Sequence, residues 1–76
     1  MKKYGMTEQD YQEMYSMQEG CCLVCHQHHK RLVIDHSHSK GVVRGLLCYR
    51  CNIMIGHAHD DVSLLLNAIA YLNDNH

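Results

Sequence analysis

Apolar and polar positions follow more than one period along this chain, and each period marks an element. After Thr7, the residues Tyr11, Met14, Tyr15 and Gln18 recur at i, i+3, i+4 and i+7, the spacing of one helix face. Thr7 with Asp10 three residues on is a weak capping box, and Gly20 is a stop signal. The pattern therefore predicts a helix over about residues 8–19, with its Tyr/Met stripe in the core. Leu32-Val33-Ile34 is short and β-branched and reads as a strand ending in Asp35-His36. Residues 37–41 form a loop whose turn signal is Lys40-Gly41, and Val42 to Leu47 reads as the returning strand. A short helix over residues 52–55 is expected to stop at Gly56. Asp60 or Asp61 then caps a last helix through about Leu72, in which Val62, Leu65, Leu66, Ile69 and Leu72 make a heptad-like apolar face. That face is read as core, with a dimer seam as the alternative. The expected class is α+β: a β-hairpin plus helix, flanked by an N-terminal and a C-terminal helix, in a single domain over residues 1–76.

Composition shows what such a fold lacks. A chain of 76 residues with no Trp, Phe or Pro has little with which to build a core. Small scaffolds need a staple, and five Cys and eight His indicate a metal. The first ten residues carry no apolar stretch of the kind a signal peptide needs, and no apolar run approaches a membrane span. A reducing cytoplasm is the expected location, where clustered cysteines read as metal ligands rather than disulfides. The formal charge is −1, but residues 22–51 sum to +4 between acidic flanks of −2 and −3. The basic charge thus lies where the cysteines and most histidines lie, a patch suited to phosphate or simply a solvated hairpin face.

Cys22-x2-Cys25 and Cys48-x2-Cys51 form a paired knuckle with 22 residues between the pairs. Each pair places two thiolates on one tight turn, and two turns complete a tetrahedron around Zn²⁺. Four thiolates leave no open position for water, so the zinc reads as structural and its binding as coupled to folding. Cys21 is the odd thiol; using it would lengthen the first spacing to C-x3-C, so Cys22 is assigned and Cys21 is read as a bystander.

Between the knuckles stands Ile34-Asp35-His36-Ser37-His38. Strand alternation sends Asp35 and His36 to opposite sides, while His36 and His38 share a face. Asn52 follows the last cysteine, so the zinc site pins it beside the hairpin, within reach of Asp35. One carboxylate and one amide carbonyl suit a hard cation such as Mg²⁺, which keeps several waters and takes substrate phosphate oxygens. A neighbouring imidazole can take a proton from an attacking water. Those are the parts that phosphodiester hydrolysis requires.

The run Cys22-x2-Cys25, Leu32-Val-Ile-Asp35-His36-Ser-His38, Gly41-Val-Val-Arg44-Gly45-Leu-Leu-Cys48-x2-Cys51-Asn52 resembles the recombination endonuclease VII family, a branch of the HNH or ββα-metal nucleases found largely in phages. The resemblance extends upstream to Tyr4-Gly5-Met6-Thr7 and downstream to Gly56 and the helix of Leu65 and Leu72. It implies a small zinc-stapled ββα-metal fold and a metal-dependent endonuclease that nicks DNA or cuts both strands. Asp35 and Asn52 would hold the catalytic divalent ion (Mg²⁺ first, Mn²⁺ or Ni²⁺ as alternatives). His36 would be the general base and His38 an auxiliary group near the scissile phosphate or metal. Cys22, Cys25, Cys48 and Cys51 would hold the structural zinc. Arg44 would touch a phosphate or pair with a carboxylate. The family's long form carries a further C-terminal region for dimerisation and four-way-junction recognition; this sequence stops at His76, so nicking or relatively nonspecific cleavage is expected. The partner would be DNA and no membrane, the chain a monomer or a weak dimer through its C-terminal helix, and the location the host cytoplasm if a phage encodes it. His57 and His59 stand where apolar residues are expected and, with His26, His28 and His29, read as surface or outer-shell groups. The competing reading is a non-catalytic zinc ribbon that binds nucleic acid or protein; metal buffering by a His/Cys-rich chain fits the composition but not the ordered hairpin.

Overall fold

The computed structural model describes residues 6–37 and 40–75, and contains three helices and one antiparallel hairpin among them. Helix α1 spans Glu8–Met17. Its capping box is complete: the Asp10 N–H donates to Thr7 Oγ1 and the Thr7 N–H to Asp10 Oδ2, both at 3.1 Å. The helix ends two residues before the expected Glu19, because Glu19 (φ 53°) and Gly20 (φ 72°) both turn left-handed. A Cβ on Gly20 would lie 2.6 Å from the His28 ring and 2.9 Å from the Tyr15 hydroxyl, so the turn closes only around glycine.

The stripe expected in the core is polar-tipped. Tyr11, Met14 and Tyr15 pack against the core, but the Tyr11 hydroxyl donates to the Leu32 carbonyl (2.7 Å) and accepts from the Leu32 N–H (3.1 Å). The Tyr15 hydroxyl donates to the His29 carbonyl. The Gln18 amide accepts from the Leu46 N–H (3.0 Å) and donates to the carbonyls of Leu46 and Cys21 (2.9 Å each). One helix face thereby satisfies backbone groups that would otherwise be stranded beside the core.

Strands β1 (Val33–His36) and β2 (Val43–Leu47) pair antiparallel, with Ile34 opposite Leu46 and Asp35 opposite Gly45. The register then breaks, and His36 pairs with Val43. Arg44 is therefore a bulged residue, of the kind that re-aims a side chain. Helix α2 spans Tyr49–His57 with Cys48 as its N-cap, so the second knuckle is the start of a helix rather than a turn before one. Gly56, expected to stop this element, lies within it; the chain leaves the helix after His57, and His59 (φ 55°) and Asp60 (φ 59°) make the left-handed turn. The order β1–β2–α2 is a ββα unit, flanked by α1 and by α3 (Val62–Asn75). Asp61 caps α3, its Oδ1 accepting from the Leu64 N–H at 3.2 Å.

The core is Cys22, Leu32, Leu46, Leu47, Cys48 and Cys51, with Ile34 and Ile55 packed against it. Three of those six are thiols, so the core and the candidate zinc site are one object. The apolar face of α3 does not join it. Val62, Leu66, Ile69 and Leu72 are each more than half exposed and only Leu65 is half-buried among residues 62–74, which corrects the expectation of a core face. The ββα unit closes its small core without them. Among the described residues no helix is long and apolar enough to cross a membrane.

Candidate active site and metal centre

The sulfurs of Cys22, Cys25, Cys48 and Cys51 all lie within 4.8 Å of one another. Zn–S bonds of about 2.3 Å in a tetrahedron demand S···S edges of about 3.8 Å. The Cys25–Cys48 edge is 3.9 Å, close to that value, and the four thiols are a donor set suited to zinc. Local backbone builds this geometry: the N–H groups of Val24 (3.3 Å) and Cys25 (3.5 Å) both point at Cys22 Sγ. Burial alone would raise the Cys22 thiol, but the backbone N–H groups of Cys25, Cys48 and Val24 outweigh it and bring it down to about 6. Cys51 is pushed up to about 12, first by burial and then by its sulfur neighbours. The pocket thus favours a first thiolate at Cys22. Cys21 stays out of the cluster, its Sγ 3.6 Å from the Glu19 carbonyl. His29 approaches Cys25, Nε2 to Sγ 3.9 Å, in the position of an outer partner.

The second group lies on the other side of α2. Asp35 and His36 from β1 and Asn52 from α2 line one cavity of about 120 Å³, together with Ile34, Ile55 and Asp60. Asn52 sits one turn into the helix, its N–H donating to the Cys48 carbonyl at 3.0 Å, so the cysteine cluster fixes its place. Strict alternation would have separated Asp35 from His36; the register breaks between these two residues, and both reach the cavity. His38 lies outside the described residues.

Arg44, left open between phosphate and carboxylate, pairs with carboxylates. Its Nε donates to Asp35 Oδ2 (2.7 Å), and its Nη2 to Asp35 Oδ1 (3.1 Å) and Asp60 Oδ1 (3.2 Å). The hydrogen bond to Asp35 first, and Asp60 after it, raise the guanidinium's proton affinity further. In the sequence, Asp60 reads only as a helix cap. Nothing local pairs it with an arginine sixteen residues earlier; the left-handed turn at His59 and Asp60 makes the meeting. His57 and His59 are exposed, and among the described residues the four cysteines form the only group of three or more His, Cys, Asp or Glu within metal-holding distance.

The sequence model of the family described as recombination endonuclease VII matches residues 1–74. Two mycobacteriophage proteins, each named Gene 59 protein, are similar over 73 residues: 44% identical in phage D29 and 42% in phage L5. In both cases the match covers 91% of this chain and 44% of the relative, so the chain spans less than half the length of the curated relatives it matches. No solved structure matches the chain.

Proposed function

Because the chain belongs to the recombination endonuclease VII family, we propose that it is an HNH-type, metal-dependent endonuclease that hydrolyses DNA phosphodiester bonds. The observation that carries this reading is the convergence of Asp35, His36 and Asn52 on one cavity beside a separate four-cysteine cluster. The two sites divide the work. The cysteines hold a structural zinc that fixes the start of α2 against the hairpin, and so fixes Asn52 against Asp35.

The Asp35 carboxylate and the Asn52 amide carbonyl are hard oxygen donors suited to Mg²⁺, with Mn²⁺ or Ni²⁺ able to replace it. A divalent ion bound there supplies charge stabilisation at the scissile phosphate and its leaving oxygen. His36 takes the proton from the attacking water, which turns a weak nucleophile into one able to displace the 3′ or 5′ oxygen. His38 assists beside it. Lys30 and Arg31 before β1 and Arg50 beside the cysteine cluster are all exposed and add positive charge of the kind a DNA backbone seeks. A ribbon that only binds nucleic acid has no use for a base and two hard ligands on one cavity. DNA in the host cytoplasm is the substrate such a phage-type enzyme would meet.

The test is Mg²⁺-dependent nicking of supercoiled plasmid by zinc-loaded protein and by Asp35→Asn. The variant should keep its zinc and lose at least roughly a hundredfold in rate, on the scale of losing a catalytic positioning group. Undiminished nicking by Asp35→Asn would remove the cavity from the mechanism.

A further inference from the structure

We propose that Arg44 and Asp60 form a clasp that positions Asp35: Asp60 anchors the guanidinium, and the guanidinium orients the carboxylate toward the cavity. The proposal rests on the metal-dependent reading of that cavity. Three observations lead to it. Arg44 is the bulged residue of β2, so the extra residue in the strand is the one whose side chain reaches Asp35. Its fork engages both Asp35 oxygens, with the shorter bond at Oδ2 (2.7 Å) and the longer at Oδ1 (3.1 Å). Its Nη2 has two hydrogens, and Asp60 Oδ1 lies 3.2 Å from the same nitrogen.

An ionised carboxylate has about four lone-pair sites, so a side-on guanidinium leaves sites for a cation. The guanidinium therefore acts as an outer partner of a ligand rather than as its competitor. Arg44 is itself 38% exposed and long, and a lone exposed fork would not hold one orientation. Asp60, three-quarters buried at the foot of α3, supplies the second anchor. It arrives there through two consecutive left-handed residues, closed by the Asp60 N–H on the Ile55 carbonyl at 3.1 Å. A left-handed backbone is disfavoured for non-glycine residues, and Asp tolerates it better than most.

Charge and positioning make opposite predictions for one variant, and this makes the proposal testable. Removing the Arg44 charge leaves two carboxylates at the cavity, which by charge alone draws a cation more strongly. By positioning, the same change frees Asp35 and weakens the site. The experiment is Mn²⁺ binding to zinc-loaded protein by electron paramagnetic resonance, for wild type, Asp35→Asn, Arg44→Gln, Asp60→Asn and the Arg44→Gln/Asp60→Asn double variant. Zinc content is checked in each. Arg44→Gln should weaken Mn²⁺ binding roughly tenfold, the low end for loss of an outer-shell partner. Asp60→Asn should weaken it less, and should add nothing in the Arg44→Gln background. Equal or tighter binding by Arg44→Gln would overturn the clasp, as would a full Asp60→Asn effect in the absence of Arg44. Should Arg44→Gln fail to fold, unchanged affinity in Asp60→Asn would overturn it alone. Wild type that binds no Mn²⁺ sensitive to Asp35→Asn would overturn both the clasp and the cavity reading beneath it.

Discussion

Gln18 is a half-buried amide whose three hydrogen bonds all go to backbone, two of them to Leu46 on the edge of β2 turned away from β1. The Leu46 N–H, directed away from β1, has Gln18 Oε1 as its acceptor; the Leu46 carbonyl also takes the Leu23 N–H at a longer 3.4 Å. Gln18→Met keeps the side-chain volume and removes every one of these bonds. Each lost bond costs about 1 kcal/mol net, and a partly buried N–H left without a partner costs about 1–3 kcal/mol. Gln18 itself is only half-buried, so water offsets part of the loss and the sum is about 2–3 kcal/mol. For a domain of this size that is a fall of roughly 10–20 °C in melting temperature. The assay is thermal unfolding by circular dichroism at a fixed excess of zinc, since free metal shifts the apparent stability. Gln18→Glu sharpens the test, because a carboxylate accepts from the Leu46 N–H but cannot donate to two carbonyls. It should destabilise at least as much as Gln18→Met at pH 7.5 and recover part of the loss on acidification. A change under roughly 3 °C for Gln18→Met would mean that water replaces the amide and that α1 is not clamped to β2 in this way.

Gly20→Ala should cost about 2–4 kcal/mol, from the left-handed backbone and the clash with the His28 ring, measured by the same thermal unfolding. Gly45→Ala should cost under about 1 kcal/mol, because its new Cβ meets only the tip of the exposed Leu23 side chain, 2.5 Å away, which can swing aside. Chelation of zinc should abolish most tertiary structure in near-ultraviolet circular dichroism, since half of the buried cluster is thiol. Zinc binding at pH 7.5 should release fewer than four protons, measured by calorimetry in buffers of different ionisation enthalpy: Cys22, lowered to about 6, is already a thiolate, whereas Cys51, raised to about 12, must give up its proton. The sign follows: as pH falls through 6 the Cys22 proton joins the count and affinity drops more steeply, and a constant count across that range would contradict the assignment.

The parts of this fold legible in the sequence are those set by local periodicity or fixed spacing. The Thr7–Asp10 cap, the β-branched run at Val33 and Ile34, and the two C-x2-C pairs each carry their own signal within a few residues. What escaped depends on contacts across the chain. The tyrosine and glutamine stripe of α1 has helical spacing whether its tips meet oil or backbone, and only the packed hairpin reveals that they meet carbonyls. The α3 face reads as core by pattern, yet the ββα unit completes its small interior without it. Gly56 looked like a stop because glycine lowers helix propensity by about 1 kcal/mol, a cost an exposed position can bear. Arg44 and Asp60 meet only because a bulge and a left-handed turn fall opposite one another, and neither leaves a mark in composition.

We propose DNA hydrolysis at the cavity of Asp35, His36 and Asn52. Its most direct test is relaxation of supercoiled plasmid in Mg²⁺ by wild type and by His36→Ala at matched zinc content. Nicking is expected from the wild type, and its loss, by roughly a hundredfold or more, from the folded and zinc-loaded variant. Equal activity in the two proteins, or none in either across Mg²⁺, Mn²⁺ and Ni²⁺, would contradict it.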